Sequence, residues 1–404
     1  MPESKRNLIL LRAYYMALGG GGGFLLPFIT LFYKHQGLSG AEIGLLSTGA
    51  GLAALIAAPI WGRHNDSAAA PRRWLQLELL ASCACILILS QQSLPLAIAA
   101  LVTVDALMNS GISPSSDVLS LTVLSRTRSG FGSIRLFASL GWAIAALIGG
   151  WLIEHIGLGV MFVGYVLGYG SGAGVIGLLR LPTPGTRSTD ASQSRTSIVQ
   201  AARRVWADRR LGRLAVVLAI FGFAMYGLRS FEALYLTQLG AGGTLVGLAS
   251  TIGATIELPS MLWADRLVKR FGSARVLRAS FFFEVVRLSV VLIAPSVPML
   301  LLMRAVGGVT FSWYVIAVLG FIYDVTPATQ VTTTLALFNV TLPAFIRITA
   351  APVSGVIFDQ LGAPWLYLMG VIGSGVAWLI MQLRLTQPTV TVPELTSQEQ
   401  SSEA

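Results

Sequence analysis

The sequence predicts an all-α integral membrane protein, and its composition and apolar runs lead to that class. The 404-residue chain is 54% hydrophobic and only 11% charged, with a mean hydropathy of +0.72. Soluble domains carry about 25% charged residues, so this chain has too few charges to cover a water-facing surface. Its apolar residues form runs of about 20, the length that a helix needs to cross about 30 Å of hydrocarbon. The net charge of +10 comes from short basic clusters between these runs, which is unlike a nucleic-acid-binding stripe.

Twelve apolar segments are predicted to be transmembrane helices. In chain order, they are residues 8–33, 41–61, 74–90, 95–119, 134–154, 158–180, 212–236, 244–263, 275–294, 297–322, 332–356 and 363–383. The first follows the basic pair Lys5 and Arg6 and has no small-residue cleavage site. We therefore interpret it as a retained span and not as a signal peptide.

A long polar segment divides the spans into two sets of six. Residues 181–211 are Ser/Thr-rich at first and then basic, so they are expected to form a central cytoplasmic loop. The sequence thus predicts an N-terminal bundle over residues 1–180 and a C-terminal bundle over residues 212–384. The polar tail, residues 385–404, is expected to be cytoplasmic and disordered.

The distribution of Lys and Arg predicts the orientation. The basic residues fall almost entirely in alternate connections, and only Lys34 lies in the others. Connections rich in Lys and Arg stay in the cytoplasm, so both termini are expected to be cytoplasmic. The expected location is the plasma membrane, which is the inner membrane of a prokaryote.

The two halves also resemble each other in sequence. Residues 37–44, GLSGAEIG, match residues 240–247, GAGGTLVG, at an offset of 203. Residues 149–157, GGWLIEHIG, match residues 354–362, SGVIFDQLG, at an offset of 205. Two pseudo-symmetric halves are typical of transporters that rock around a central site.

Two short loops carry a family motif. Gly62 and Asp66 of GRHND, after the second span, keep the spacing of the major facilitator superfamily loop motif, and the chain resembles that family. The loop after the eighth span, ADRLVKRFGSAR, keeps Asp265 and Arg266 but has Met261 where the motif has glycine. In the family this motif latches one conformation, so the resemblance implies gating roles for Gly62, Asp66, Asp265 and Arg266.

A closer resemblance is to phenylpropionate-type permeases, nucleoside–proton symporters and lactose-permease-like symporters. It rests on SPSSDVL with Asp117, on GFGSIRLFASLGWAIAALIGG with Arg135, and on Glu257 together with Arg287. Asp117 and Arg135 flank the inner ends of two spans, which favours a structural or gating contact. Antiporters of the superfamily have a central Gly-Pro in span 5, whereas this chain has residues 145–146, both alanine. The resemblance therefore favours symport.

Charged residues within the predicted spans are the main candidates for the C-terminal half of a transport site, because burying them in lipid is costly. Glu257 and Arg287 are each expected about 12–14 Å from the inner loops, at depths that would allow pairing. Glu257 is the first candidate for a proton-carrying carboxylate and Glu232 the second. Glu284, three residues before Arg287, competes for the same arginine.

Three arginines complete the C-terminal set. Arg229 shares a helix face with Glu232, as a cavity or gate pair or as a self-satisfied pair. Arg347 has no partner on its own helix, so an anionic solute group or Glu232 could bind it. Arg304 is interpreted as a residue that extends toward the outer surface.

In the N-terminal half, Asp105 and Asn109 are four residues apart and can face one cavity. Tyr14 and Trp142 could stack on a ring of the solute or simply pack. These four residues, together with Arg229 and Arg347, are the predicted substrate-binding set.

The sequence predicts a secondary active transporter that moves a small organic solute by alternating access. The expected mode is proton symport of a sugar, nucleoside or aromatic acid, and the expected state is a monomer. The alternatives are a proton-coupled efflux antiporter and a non-transporting membrane sensor. No enzyme, cofactor, metal site or nucleic-acid partner is expected, because the three histidines lie in connections and no G-x-x-x-x-G-K-[ST] motif occurs.

Five consecutive glycines, Gly19–Gly23, lie inside the first predicted span. They are not a phosphate-binding loop, because neither a preceding strand nor a following Lys-Ser/Thr accompanies them. Two interpretations stay open. The run either lets the first span pack closely on a neighbour or forms a hinge that bends during transport.

Overall fold

A computed structural model describes residues 3–67, 71–124, 132–179, 203, 205–327 and 330–383. Within these ranges the chain forms helices joined by short turns, with no strand, which confirms the all-α class. The helices are α1 (Glu3–Leu25), α2 (Ile29–His35), α3 (Gly40–Ser67), α4 (Pro71–Leu89), α5 (Pro95–Leu124), α6 (Gly132–Ile156), α7 (Gly159–Gly177), α8 (Arg209–Gln238), α9 (Gly243–Phe271), α10 (Ser273–Ile293), α11 (Val297–Val325), α12 (Val331–Ala336), α13 (Leu342–Gln360) and α14 (Ala363–Gln382). A π-helical segment, Leu337–Thr341, joins α12 to α13.

Ten helical segments in the described residues are long and apolar enough to cross a membrane. The predicted spans at 74–90 and 275–294 are helical as well, as α4 and α10. These two helices are not among the ten. Helix α4 carries Arg72, Arg73 and Glu78, and α10 carries Arg275, Arg278, Glu284 and Arg287. The count of twelve membrane-spanning helices stays a prediction.

The helices pack as two groups, α1–α7 and α8–α14, which meet mainly along two helix pairs. One pair is α3 with α13, and the other is α6 with α9. Among the described residues, the hydrogen bonds between the two groups all lie at one end of the molecule. We call this the closed end. It carries the turns before α3 and α9 and the turns after α6 and α13.

Glycines allow the backbones to touch at the closed end. A Cβ atom at Gly44 would overlap the carbonyl of Ala351, and one at Gly247 would overlap the carbonyl of Ala146. Small residues are common where transmembrane helices approach this closely. The repeats seen in the sequence are therefore paired crosswise, since the first repeat of each half packs on the second repeat of the other.

Two carboxylates bind helix N-termini across the same contacts. Asp359 accepts hydrogen bonds from the backbone N–H groups of Gly40, at 2.7 Å, and Ala41, at 2.8 Å. Glu154 accepts one from the N–H of Thr244, at 2.8 Å. The first N–H groups of a helix lack partners within the helix and carry partial positive charge, so a carboxylate stabilises them. The closed end is thus held by backbone contacts and charge together.

The glycine run packs closely and does not bend. Helix α1 continues through it to Leu25, and the break comes afterwards, at the turn containing Pro27. A Cβ atom at Gly19 would overlap the carbonyl of Ala138 in α6, and one at Gly21 would lie 2.6 Å from the ring of Tyr169 in α7. In this conformation the run serves close packing of α1 on α6 and α7.

Candidate functional site

A cavity of about 470 Å³ lies between the two groups of helices, further from the closed end than the helix contacts described above. Helices α1, α6, α8, α9, α10 and α11 contribute to its wall. Four aromatic rings and six charged side chains line it. These are Phe221, Phe311, Tyr314 and Trp142, with Arg135, Arg229, Arg287, Arg304, Glu257 and Glu284. An apolar pocket with a few convergent polar groups is the usual form of a small-molecule site.

The first ion pair in the wall joins Glu284 and Arg287. The guanidinium donates to both carboxylate oxygens, at 2.5 and 3.0 Å, and Thr310 Oγ1 donates to one of them at 2.7 Å. Both charged side chains are buried. The predicted pairing of Arg287 with Glu257 is therefore wrong, and the competing residue Glu284 takes the arginine. Residues three apart on one helix face are held together by the helix itself, whereas Glu257 lies on another helix.

The second ion pair joins Arg304 of α11 to Glu232 of α8, at 2.9 Å. Arg304 lines the cavity, so its interpretation as a residue that extends toward the outer surface is wrong. Because Glu232 pairs with Arg304, it does not pair with Arg229, its neighbour on the same helix face. Sequence spacing could not show this partner, because α11 meets α8 only in the tertiary fold.

Arg229 and Glu257 have no ion pair or side-chain hydrogen bond with any described residue, although both line the cavity. The Arg229 side chain is exposed to the cavity, and its guanidinium carbon lies 4.9 Å from the centre of the Phe311 ring. Glu257 is half-buried. Of the charges that the C-terminal helices bring to the cavity, one cation and one carboxylate are thus left beside the two ion pairs, and Arg135 of α6 adds a further cation without an ion pair to a described residue.

Trp142 separates this cavity from a smaller one. Its Nε1 donates to Ser250 Oγ at 3.0 Å, from α6 to α9. A second cavity, of about 180 Å³, lies toward the closed end beside Pro27 and Val246. Trp142, Ser250, Arg229 and Arg304 are the polar or aromatic residues that line both. They form a partition between the two spaces.

A family model described as the MFS_1 like family matches residues 8–369. The chain belongs to this family. It is a multi-pass membrane transporter of the major facilitator superfamily, whose members move small molecules and are not enzymes.

Relatives and solved structures agree with this assignment. The chain is 31% identical over 266 residues to a maltose permease of Geobacillus stearothermophilus, covering 65% of this chain and 66%, just under two thirds, of that permease. It is 23% identical over 409 residues to the uncharacterized transporter YwbF of Bacillus subtilis strain 168, covering 98% of each. Its fold is similar to a structure of the nucleoside transporter NupG, with a TM-score of 0.81, 16% identity and coverage of 93% of this chain and 99% of that one. A bacterial homologue of the human lysosomal transporter Spinster, in an inward-facing and unoccupied conformation, gives a TM-score of 0.71 at 14% identity, covering 95% of this chain and 98% of that one.

Within this family member, the predicted substrate-binding residues fall in different places. Trp142 and Arg229 line the cavity, whereas Tyr14 is fully buried and shares a 2.5 Å hydrogen bond with Ser116. Asp105 and Asn109 lie outside the cavity, in a polar network.

That network belongs to the N-terminal group of helices. Ser82 Oγ donates to Asp105 at 2.5 Å, and Asn109 donates to Tyr165 Oη at 2.9 Å. The Tyr165 ring stacks on Tyr169 with ring centres 4.0 Å apart. The predicted common face of Asp105 and Asn109 is present, and it points into hydrogen-bonded side chains of α4 and α7.

Arg347 also lies away from the cavity. Its Nε donates to the backbone carbonyl of Ser47, at 3.1 Å, across the α3–α13 contact. The partner is therefore neither Glu232 nor another carboxylate among the described residues.

The predicted gating residues make few contacts between the halves in this conformation. Asp265 pairs with Lys269 of its own helix at 2.6 Å, and Arg266 is exposed. Asp117 accepts a 3.4 Å hydrogen bond from Tyr15, while Arg135 lines the cavity without an ion pair to a described residue. Gly62 and Asp66 lie in α3, and the contacts that each makes there lie outside what the structure describes.

Sequence reasoning missed the partition and the capping carboxylates. Glu154 and Asp359 were visible as matched acids in the repeats, but their partners are backbone groups of the other half. Among the described residues there is no group of His, Cys, Asp and Glu that could hold a metal ion.

Proposed function

We propose that this chain is a proton-coupled symporter of a small organic solute that works by alternating access. The observation that carries the proposal is Glu257, a carboxylate without an ion-pair partner among the described residues that faces a cavity between the two halves. An ionisable group at membrane depth is expensive unless it has a role or a partner. Glu257 can take up a proton from the cavity without breaking an existing ion pair.

The two ion pairs support Glu257 over Glu232, the second candidate. Glu232 is bound to Arg304 at 2.9 Å, and Glu284 is held by Arg287 and Thr310. Protonating either carboxylate would leave a paired arginine without its partner, which is costly in a water-poor site. Glu257 therefore carries the coupled proton, and the two ion pairs shape the cavity.

The contacts at the closed end support alternating access. In the orientation that the basic residues predict, the closed end faces the outside of the cell and the cavity lies on the cytoplasmic side of it. Solute exchange with the outside would then require the α3–α13 and α6–α9 contacts to part, as in a rocking movement of one half against the other. We expect a monomer in the plasma membrane with both termini cytoplasmic.

The proposal is tested in proteoliposomes with a solute found by thermal shift. The screen includes maltose, uridine and benzoate as a sugar, a nucleoside and an aromatic acid. A pH gradient should drive uptake of the hit, and Glu257→Gln should lose accumulation while keeping solute exchange.

Glu42→Gln is the matched control, because Glu42 is an exposed carboxylate whose hydrogen bonds from described residues come from Ser39 of the preceding turn. It should keep pH-driven accumulation. Unchanged accumulation in Glu257→Gln would remove Glu257 from the coupling role, and solute extrusion under the same gradient would show an antiporter.

A further inference from the structure

The charges that helices α8–α11 of the C-terminal group place around the cavity balance only when Arg229 and Glu257 are counted together. Arg287 and Arg304 have their own carboxylates, at 2.5 and 2.9 Å. Arg229 has none among the described residues, and it is exposed to the cavity. When Glu257 is ionised, Arg229 and Glu257 cancel each other across the cavity. When Glu257 is protonated, Arg229 is left as an uncompensated cation.

An uncompensated charge inside the membrane is unfavourable, so the protonated state needs an anion. A neutral solute that bound together with a proton would leave the cavity with one more positive charge than it carries when empty. A solute with one negative charge would restore the balance, because its anionic group would take the place of the Glu257 carboxylate. The cavity would then carry the same charge in the empty and loaded transporter when the protein alternates between its two conformations.

The position of Arg229 suits this role. Its guanidinium lies over the Phe311 ring, at 4.9 Å, which fixes the plane of its donors. A guanidinium offers paired donors that match a carboxylate or phosphate. Phe221 and Tyr314 line the same cavity, so the apolar part of the solute has a surface to pack on.

We propose that the cavity takes a small organic monoanion, whose anionic group binds Arg229 while Glu257 holds the accompanying proton. This inference rests on the proposed symport and names its substrate class. The other charged groups that face Glu257 across the cavity are Arg135 of α6, Arg304 of α11 and the Glu284–Arg287 pair of α10. Of these, only Arg135 lacks an ion pair among the described residues, and it lies near the start of α6.

The test measures the electrostatic potential in the cavity, and it does not require the solute. Cys83 and Cys85 are replaced by alanine, and Ala254→Cys places one thiol in the cavity wall, one helical turn before Glu257. Its reaction rate is measured with two methanethiosulfonates of similar size, the sulfonatoethyl anion and the trimethylammonium-ethyl cation. The ratio of the two rates reports the local potential.

Glu257→Gln mimics the protonated acid and should raise the anion-to-cation rate ratio by about tenfold, the effect of one unit charge at about 10 Å in a medium of intermediate dielectric. Adding Arg229→Gln should abolish that rise, and Arg229→Lys should keep most of it because it keeps the charge. Arg209→Gln, which removes an exposed arginine at the start of the same helix, should leave the ratio as it was.

Two results would overturn the inference. One is a ratio that does not depend on Arg229 in protein whose gel-filtration profile matches the parent. The other is proton-driven accumulation of neutral maltose or uridine with no competition from organic monoanions, in which case the symport proposal stands and the anion proposal fails. Conversely, an Arg229-dependent ratio in a protein whose uptake of an organic monoanion needs no proton gradient would support the anion site and overturn the symport proposal.

Discussion

The contacts α3–α13 and α6–α9 are built alike at the closed end and differ at the cavity. In both, glycines let the backbones touch and a carboxylate binds the opposing helix N-terminus. Thr48 donates to the carbonyl of Ile348 at 3.2 Å, and Thr251 donates to the carbonyl of Ala143 at 2.8 Å. These pairs are related by the same offsets of 203 and 205 that relate the repeats.

The two helix pairs differ at the residues that directly precede these threonines and their carbonyl partners. Trp142 and Arg347 are equivalent by the offset of 205, and Ser47 and Ser250 by the offset of 203. Trp142 bonds to the Ser250 side chain and closes the cavity, whereas Arg347 bonds to the backbone of Ser47 outside it. Equivalent backbone contacts in the two helix pairs thus hold the closed end together. The side chains at equivalent positions differ between the pairs, and they determine which residues line the cavity.

The largest expected effect comes from filling the glycine contacts. Gly44→Leu and Gly247→Leu should each force their helix pair apart, because a Cβ atom already overlaps a backbone carbonyl. Overpacking costs about 1–3 kcal/mol, which shifts a two-state balance by about 5- to 150-fold. Labelling of Ala249→Cys, in the smaller cavity, by an impermeant maleimide added at the closed end should rise in both variants.

Gly174→Leu is the control, because nothing lies within 4 Å of a Cβ atom there. Equal increases for Gly44→Leu and Gly247→Leu would show that the two contacts contribute equally to closure. An increase in only one would break the symmetry that the contacts suggest.

Glycine packing within one half should behave differently from packing between halves. Gly19→Ala should lower the melting temperature in detergent, since the new methyl group overlaps Ala138, with a cost of about 1–3 kcal/mol. Gly20→Ala should be neutral or stabilising by up to about 1 kcal/mol, because its nearest neighbour is 4.0 Å away and alanine favours the helix. Neither should change labelling of Ala249→Cys. Slowed transport in a stable Gly19→Ala protein would instead favour a hinge.

Substituting the capping carboxylates Asp359 and Glu154 should have the smallest effect on labelling at the closed end, and the effect should be larger for Asp359. Asp359→Ala removes two hydrogen bonds to a helix N-terminus and Glu154→Ala removes one. Losing such a cap costs about 0.5–2 kcal/mol, so labelling at the closed end should rise more for Asp359→Ala.

Glu42→Ala provides the comparison at the same helix end, because Glu42 bonds within its own half to Ser39. Its labelling should match the parent. An equal rise in Glu42→Ala would mean that any loss of charge at this end loosens the fold, with no special role for contacts between halves.

The helices and the repeats could be predicted from the sequence, because span length and glycine spacing are local properties. The ion-pair and hydrogen-bond partners of the charged residues were harder to predict. Glu284 and Arg287 are close on one helix, and their pairing follows from spacing alone. Arg304 and Glu232 belong to helices far apart in the chain, so no spacing could reveal their pairing. Asp105 and Asn109 share the predicted face, but which neighbours cover that face depends on how α4 and α7 pack.

The sequence by itself determined the solvent in which this protein folds, its helical class and its internal repeat, because few charges and runs of about 20 apolar residues leave helices in lipid as the stable form. Only the tertiary structure decided which charges stay unpaired. Among the charges of the C-terminal helices, Arg287 pairs within its own helix and Arg304 pairs with Glu232, so Arg229 and Glu257 are left facing the cavity. Pairing within a membrane depends on distances between helices, and a single sequence does not specify those distances.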